Sequence, residues 1–235
     1  HQPLGGAQGQ ATDIEINNLT WVTNVIFSHV TTEVTSLMSQ ARTIDLVNGE
    51  ASSGFTMEGY PHRAIFSMPF QGLTDKGIPT YLNEKGELTS TDLDFQNRNS
   101  NGYLIYEGPT EPTITGSLGN EIKWKNWRLN VFLTYSFGSY VRLDRIFSAQ
   151  YNDLTSMTKE FKNRWMQAGD EETTSVPTIL PYRSFASDRN LRIAYNAYNY
   201  TSNRTAKGDF VRMKEISLGY DFPKAMLRST PFTNL

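Results

Sequence analysis

Clustered carboxylates are the side chains of this sequence best suited to acid–base chemistry. Asp92 and Asp94 stand two residues apart, and Asp170, Glu171 and Glu172 form a second group. Most glycosidases use a pair of carboxylates, but the pair works only at a defined separation, which sequence spacing does not supply. We therefore expect both groups to lie in solvated loops.

Other catalytic and metal-binding residue types are scarce. The histidines at positions 1, 29 and 62 have no metal-ligand spacing, and the 235-residue chain contains no cysteine. Disulfide scaffolds, thiolate metal sites and cysteine nucleophiles are thereby excluded. The sequence also lacks HExxH, nucleophile-elbow and phosphate-loop motifs. We expect no metal, no cofactor and no enzymatic activity.

Aromatic side chains offer binding rather than catalysis, since Phe, Tyr and Trp make up 12% of the residues. Trp165, Tyr195, Tyr198 and Tyr200 lie in a long polar stretch. Tyr and Trp combine a stacking surface with a polar tip, which suits contact with a sugar ring or a protein partner. The four are candidate contacts to a ligand or partner. Alternatively, they anchor their own loop.

Composition narrows the class of protein. A net charge of −2 and a pI of about 6.0 do not favour nucleic acid as a partner. No apolar run reaches the roughly 18 residues of a membrane-spanning helix, and no secretion signal opens the chain. The remaining classes are a soluble β-rich protein and a β-barrel, whose membrane spans alternate apolar and polar residues.

The clearest strands form a hairpin around a turn at Lys125-Asn126. In residues 127–137 every second side chain is apolar or aromatic, whereas the intervening positions are mostly polar. Eleven residues at about 3.3 Å each, tilted by about 45°, rise about 25 Å, the height of a barrel's apolar band. Aromatic residues at both ends of the stripe resemble interfacial girdles. A soluble β-sandwich with one buried face would show the same alternation.

A third strand, Phe210–Phe222, repeats the alternation, with Arg212 and Lys214 expected on its apolar face above the membrane. Charged residues on the polar faces, such as Glu121, Lys123 and Glu215, are expected to line the barrel lumen. The residues predicted to face lipid are Ile114, Leu118, Ile122, Trp124, Trp127, Leu129, Val131, Leu133, Tyr135, Phe137, Ile216 and Leu218.

Short turns and long loops alternate along the chain. We predict an all-β fold, an antiparallel transmembrane β-barrel segment with strands at about 8–16, 19–29, 113–124, 127–138 and 210–222. The turns at 17–18 and 125–126 are short, whereas residues 30–112 and 138–209 form long loops, typical of periplasmic turns and extracellular loops. Within the second loop, residues 154–167 are predicted to form a short helix capped by Asp153.

Several short motifs, in order, resemble the SusC/RagA family of outer-membrane transporters. Residues 108–138 (GPTEPTITGSLGNEIKWKNWRLNVFLTYSFG) are similar to a descending and an ascending barrel strand of that family. Residues 209–223 (DFVRMKEISLGYDFP) resemble a later strand, and Arg164-Trp165 with Gly169-Asp170 resemble a loop between them. The motifs Glu58–Pro61, Gly72-Leu73 and Gly77-x-Pro79 are similar to its preceding loop, so the resemblance spans about residues 8–225.

The resemblance implies a TonB-dependent importer of glycans or peptides in the bacterial outer membrane. Its partners would be a SusD-like surface lipoprotein, TonB acting through a plug domain, the substrate and membrane lipid. Plugged barrels of this kind have about 22 strands, whereas this sequence holds four full strands and a partial one. We expect the chain to be part of a larger polypeptide, without plug or signal. The alternative is a soluble secreted β domain that binds carbohydrate through its aromatic side chains.

Overall fold

A computed structural model describes residues 5–16, 18–48, 56–147, 158–180, 187–223 and 226. In chain order the elements are β1 (Gly5–Ile16), β2 (Leu19–His29), α1 (Thr43–Asn48), β3 (Ala64–Ser67), β4 (Phe70–Leu73), β5 (Pro79–Leu82), β6 (Leu88–Thr89), β7 (Ile105–Pro109), β8 (Ile114–Trp124), β9 (Trp127–Phe137), β10 (Tyr140–Arg142), α2 (Arg189–Tyr198), β11 (Thr205–Lys207) and β12 (Phe210–Tyr220).

The chain divides into two compact units. The sheet unit comprises His1–Thr31, Pro112–Ser139 and Gly208–Leu235. The insertion unit comprises Thr32–Glu111 and Tyr140–Lys207, the two stretches that separate the long strands. None of the helices in the described ranges is long and apolar enough to cross a membrane.

The sheet unit is one antiparallel sheet in the order β1-β2-β8-β9-β12. Each long strand pairs with the long strand that comes next in the chain, so the sheet is a meander. The strand predicted from residue 8 begins earlier, at Gly5, and the one predicted to reach residue 222 ends at Tyr220. The predicted antiparallel β architecture is therefore confirmed, as an open sheet of five strands.

Tight turns set the register of this sheet. Trp124 pairs with Trp127 and Ile16 with Leu19, so each hairpin turns through two residues. Lys125 has a φ of 54° and Asn18 a φ of 66°, the left-handed conformation that such turns require. Asparagine tolerates that conformation better than most residues, whereas a lysine carries a steric cost that the paired strands must offset.

A β-bulge changes the face assignment of β12. Met213 pairs with Leu133 and Glu215 with Phe132, so Lys214 is an extra residue in the ladder. Because one extra residue reverses the alternation, Val211 and Met213 share the face of Ile216. The expectation that Arg212 lies on the apolar face was therefore wrong, since Arg212 pairs with Thr134 on the opposite face.

The two predicted loops fold together as the insertion unit. Its small sheets are β3-β7, β4-β5-β6 and β10-β11. One buried cluster includes Phe66, Met68 and Tyr81 from the first stretch together with Ala197 and Tyr200 from the second. Backbone and side-chain hydrogen bonds join the stretches as well, including Tyr81 Oη to the Ala194 carbonyl at 2.6 Å. Neither stretch buries this core alone.

Arg142 links several parts of the insertion unit. Its guanidinium donates to the carbonyls of Phe66 at 2.6 Å, Val47 at 3.1 Å and Thr201 at 3.1 Å, and to Ser67 Oγ at 3.1 Å. Unpaired carbonyls in such a site would each cost about 1–3 kcal/mol. The half-buried Arg142 therefore supplies hydrogen-bond donors to carbonyl groups of the irregular backbone that surrounds the core.

The helices differ from the sequence prediction. Of the predicted helix at 154–167, Asp153 and residues 154–157 lie outside the described residues, Lys159–Asn163 forms a 3-10 turn, and Arg164 has an extended conformation. Helix α2 was not predicted. Asp188 caps it by accepting from the backbone N–H groups of Asn190 and Leu191 at 2.8 and 3.3 Å.

Close packing of a tyrosine over a glycine joins three strands of the sheet unit. Tyr135 Oη donates to the Ile26 carbonyl at 3.0 Å, and its ring lies directly over Gly116. A methyl group on Gly116 would overlap both the Ile26 carbonyl and the Tyr135 hydroxyl. Gly116 is therefore the residue that allows this aromatic contact across the sheet.

We predict that Gly116→Ala lowers the free energy of unfolding of the parent protein by about 1–3 kcal/mol. The added methyl group would displace the Tyr135 ring and break the hydrogen bond from Tyr135 to the Ile26 carbonyl. Gly119→Ala is the matched control, since its methyl group would meet atoms no closer than 3.5 Å. Urea unfolding in detergent measures both variants. Equal stability of the two would show that the Tyr135 contact contributes nothing.

Candidate functional site

One face of the sheet unit is almost entirely apolar. Directly paired residues in an antiparallel ladder place their side chains on the same face. By that register the apolar face includes, from β2, β8, β9 and β12, the residues Trp21, Val25, Phe27, Ile114, Leu118, Ile122, Trp124, Trp127, Leu129, Val131, Leu133, Tyr135, Phe137, Val211, Met213, Ile216, Leu218 and Tyr220. All twelve residues predicted to face lipid lie on this face.

The apolar face is open. Ile216 and Leu218 are each 67% exposed, and Trp124 is 50% exposed. Among the described residues, the two clusters of buried apolar side chains contain none of the twelve predicted positions. The face is thus not packed against a second sheet within the described part of the chain. An open apolar face of this kind favours contact with lipid over burial in the interior of a β-sandwich.

Aromatic side chains mark both ends of the apolar face. At the end with the two-residue turns, the rings of Trp127 and Tyr220 lie 4.7 Å apart, and Lys125 Nζ lies 5.0 Å from the Trp124 ring. At the opposite end, Tyr135 stacks on Phe137 with 5.6 Å between ring centroids. Aromatic belts in these positions are typical of the two interfaces of a membrane.

Asn120 is a polar residue on the apolar face, and its side-chain carbonyl is paired there. Trp21 Nε1 donates to Asn120 Oδ1 at 2.9 Å, and Thr23 Oγ1 donates to the same atom at 3.1 Å. Both donors come from β2, the neighbouring strand. A polar group in an apolar environment is tolerated when it is hydrogen-bonded, so Asn120 is compatible with this face.

The opposite face carries the charged residues. Lys123 pairs with Glu121 at 2.9 Å, Asn130 Nδ2 donates to Glu215 Oε1 at 3.1 Å, and Arg128 pairs with Asp221 at 3.1 Å. Pairs this exposed contribute little to stability. Their position on the face opposite to the apolar stripe is compatible with the predicted lumen lining.

The predicted tyrosine contacts are buried. Tyr195 and Tyr198 are 1% exposed and Tyr200 is 4% exposed. Tyr195 Oη donates to the Thr178 carbonyl at 2.8 Å, and burial raises the pKa of Tyr198 to about 12. Helix α2 turns its apolar side, including Ala194 and Ala197, into the core. We therefore withdraw the expectation that these three rings meet a ligand, because Tyr195 and Tyr198 on the inner side of α2 and Tyr200 just after it pack into the buried clusters of the insertion unit.

Trp165 lies where two of the family-like motifs meet. Its ring covers Gly77, whose φ of 71° and close contact leave no room for a side chain. Trp165 Nε1 donates to Glu171 Oε2 at 2.8 Å, and this hydrogen bond lowers the pKa of Glu171. The Gly77-x-Pro79 and Arg164-Trp165…Gly169-Asp170 motifs thus pack together. Half-buried Trp165 has a structural contact that accounts for its position.

The carboxylate clusters accept hydrogen bonds from backbone N–H groups of their own loops. Asp170 Oδ2 accepts from the N–H groups of Met166 and Gln167 at 2.9 and 3.0 Å, and Asp94 Oδ1 accepts from Gln96 N at 2.9 Å. Within the ranges that the structure describes, no three His, Asp or Glu residues gather as a metal site would require. The acidic groups are consistent with turn-forming roles.

The antiparallel meander with its open apolar face agrees with a segment of a β-barrel that carries large folded insertions. The chain is 26% identical over 194 residues to the TonB-dependent receptor P3 of Formosa agariphila, covering 81% of this chain and 17% of that relative. No protein-family model matches the chain.

Solved structures show the same architecture. The chain superposes on a structure of the RagAB peptide transporter with a TM-score of 0.63 and 16% identity, covering 97% of this chain and 23% of that one. A RagAB peptide importer in the closed-closed state gives a TM-score of 0.63 and 15% identity, over 98% and 24% of the two chains. The resemblance to SusC/RagA-type TonB-dependent transporters is thereby confirmed, and the chain spans about a quarter of these structures.

We predict that Val131→Arg destabilises the membrane-inserted parent protein by about 2–4 kcal/mol, because it places a charge at mid-height of the apolar face. Asn130→Arg is the control, since its neighbour Glu215 lies on the polar face 3.1 Å from the Asn130 amide. Unfolding of both variants in lipid bilayers gives the difference. A cost at position 130 equal to that at 131 would contradict the assignment of faces.

Proposed function

We propose that the chain forms part of the barrel wall and of the extracellular mouth of an outer-membrane TonB-dependent nutrient importer. The observation that carries the proposal is the exposed apolar face with aromatic residues at both ends. An apolar surface of this extent would cause aggregation in water. Lipid is the solvent that suits it.

The insertion unit supplies the mouth in this proposal. Paired residues place His29, Ile114 and Phe137 at one end of the sheet, opposite to the two-residue turns, and both insertions leave from that end. Barrels of the outer membrane carry short turns on the periplasmic side and long connections outside the cell. We therefore assign the insertion unit to the extracellular side.

We propose a SusD-like surface lipoprotein as the partner, TonB as the source of energy through the plug domain of such transporters, and a peptide as the substrate. Support for a peptide comes from the similarity to the RagAB peptide transporter and the RagAB peptide importer. A glycan is the other substrate class that the family resemblance implies.

A soluble secreted domain that binds carbohydrate is the alternative function. Two observations argue against it. The apolar face is exposed rather than buried as the core of a soluble sandwich would be. Tyr195, Tyr198 and Tyr200, the rings that would stack on sugars, are buried in the insertion unit.

We predict opposite accessibility for two exposed lysines. Because this chain has no cysteine, Lys85→Cys in the insertion unit and Lys125→Cys in a two-residue turn each introduce one thiol into this part of the parent protein, and the unaltered parent gives the background labelling. A membrane-impermeant maleimide should label position 85 on intact cells and position 125 only after the outer membrane is breached. The reverse pattern would overturn the proposed topology.

We predict that replacing both insertions together removes uptake but not membrane insertion. The Val30 N–H donates to the Thr113 carbonyl at 2.9 Å, and the Gly208 N–H donates to the Ser139 carbonyl at 2.8 Å. Each pair of ends can therefore be joined by a two-residue Asn-Gly turn in place of residues 31–112 and 140–207. Removing one insertion alone is unsuitable, because it would expose the shared core.

The readouts are heat-modifiable gel migration for barrel assembly, co-purification of the lipoprotein, and uptake of labelled peptides and glycans. We expect the barrel to assemble while co-purification and uptake are lost. Unchanged uptake and co-purification would contradict the role of the insertion unit. Glycan uptake without peptide uptake by the unaltered protein would contradict the proposed substrate and leave the importer function intact.

A further inference from the structure

A cavity of about 340 Å³ lies within the first stretch of the insertion unit. Its apolar lining consists of Leu37, Ala41, Leu46 and Met57, of which Leu46 and Ala41 are 2% and 7% exposed. Such a volume is at the lower end of the range for small-ligand sites. The apolar lining suits one aliphatic side chain rather than an extended molecule.

One positive and one negative side chain lie at the opening of this cavity. Arg98 and Glu58 both line it, and both are exposed. Arg98 Nη1 donates to the carbonyl of Gln40, another lining residue, at 2.8 Å, and this hydrogen bond holds the guanidinium beside the cavity. Within the described residues, neither Arg98 nor Glu58 has an ion-pair partner among the salt bridges of the structure.

Hydrogen bonds of Asn101 hold another part of the cavity wall. Asn101 Nδ2 donates to the Ala41 carbonyl at 2.9 Å, and Asn101 Oδ1 accepts from Thr43 Oγ1 at 2.8 Å. Arg42 occupies both carboxylate oxygens of Asp45, at 2.7 and 2.8 Å. Asp45 is therefore paired with Arg42, whose hydrogen bond lowers the pKa of Asp45, and the charge of Arg98 contributes to the same shift without forming an ion pair.

The lining also distinguishes between substrate classes. Proteins that bind sugars commonly present a flat aromatic ring for stacking, and the described residues that line this cavity include no Phe, Tyr or Trp. A guanidinium binds a carboxylate through directional, charge-assisted hydrogen bonds, and a carboxylate binds an ammonium group. The two opposite charges therefore match the two termini of a short peptide, and the apolar cavity matches one of its side chains.

We propose that this cavity binds a short peptide with free termini, with Arg98 contacting its carboxylate, Glu58 its ammonium group, and the apolar lining an aliphatic side chain. The inference rests on the proposed importer function and specifies where the insertion unit recognises its substrate. It assigns the binding to exposed side chains on one stretch of the chain, in place of the buried tyrosines.

The test compares three forms of one probe on the full-length transporter with its lipoprotein. The probes are the peptide Ala-Ala-Ala-Leu, its C-terminal amide and its N-acetyl form, with affinities measured by calorimetry. We expect the unaltered protein to bind the free peptide about tenfold more tightly than either blocked form, since loss of one charge-assisted contact corresponds to about one order of magnitude in affinity.

Two substitutions assign the contacts. Arg98→Gln should weaken binding of the free peptide about tenfold and abolish its advantage over the amide, while Glu58→Gln should abolish its advantage over the N-acetyl form. Arg189→Gln, at an exposed arginine of α2 away from the cavity, is the control and should preserve both advantages. Because all three side chains are exposed, heat-modifiable migration should show assembled protein in each variant.

The outcomes separate this inference from the proposed function. If Arg98→Gln and Glu58→Gln retain both preferences while peptides are still taken up, the cavity is not the binding site and the importer function stands. If the unaltered protein binds maltohexaose and none of the peptides, the inference is also overturned. If it takes up neither class of substrate, the proposed function fails first.

Discussion

The antiparallel register of the five long strands is the constraint on which the rest of this structure depends. Backbone N–H and C=O groups must be paired wherever water is excluded, and the ladder from β1 to β12 pairs them across four strand junctions. The same register decides which side chains share a face. One extra residue, Lys214, is enough to move Arg212 to the polar face and Met213 to the apolar one.

The insertion unit solves a different packing problem. Long connections are stable only if they bury apolar surface and satisfy their irregular backbone, and neither stretch provides a core alone. Tyr81 reaches the Ala194 carbonyl, and Arg142 binds carbonyls from both stretches. Two segments far apart in sequence therefore fold as one compact unit.

Packing also separates residues that contact each other within the insertion unit from exposed residues that are available to a ligand. Trp165 and Gly77 belong to motifs similar to SusC/RagA transporters, and they contact each other. Their close fit is a packing contact that by itself accounts for these two residue types. Glu58 belongs to the Glu58–Pro61 motif of that resemblance and Arg98 to none of its motifs, yet both are exposed side chains that line a cavity. Recognition is thus proposed for side chains that the core does not use.

By itself, the sequence determined the strands around Lys125-Asn126, because period-two alternation and a two-residue turn are local features. It also indicated the apolar face of Ile114–Phe137, since face membership follows from alternation within a strand. Only the tertiary structure decided the bulge at Lys214, which depends on pairing with β9. It alone decided that Tyr195, Tyr198 and Tyr200 are buried, because their environment comes from Phe147, Tyr81 and other residues distant in sequence. Local patterns predict faces, whereas burial of an aromatic ring depends on what packs against it.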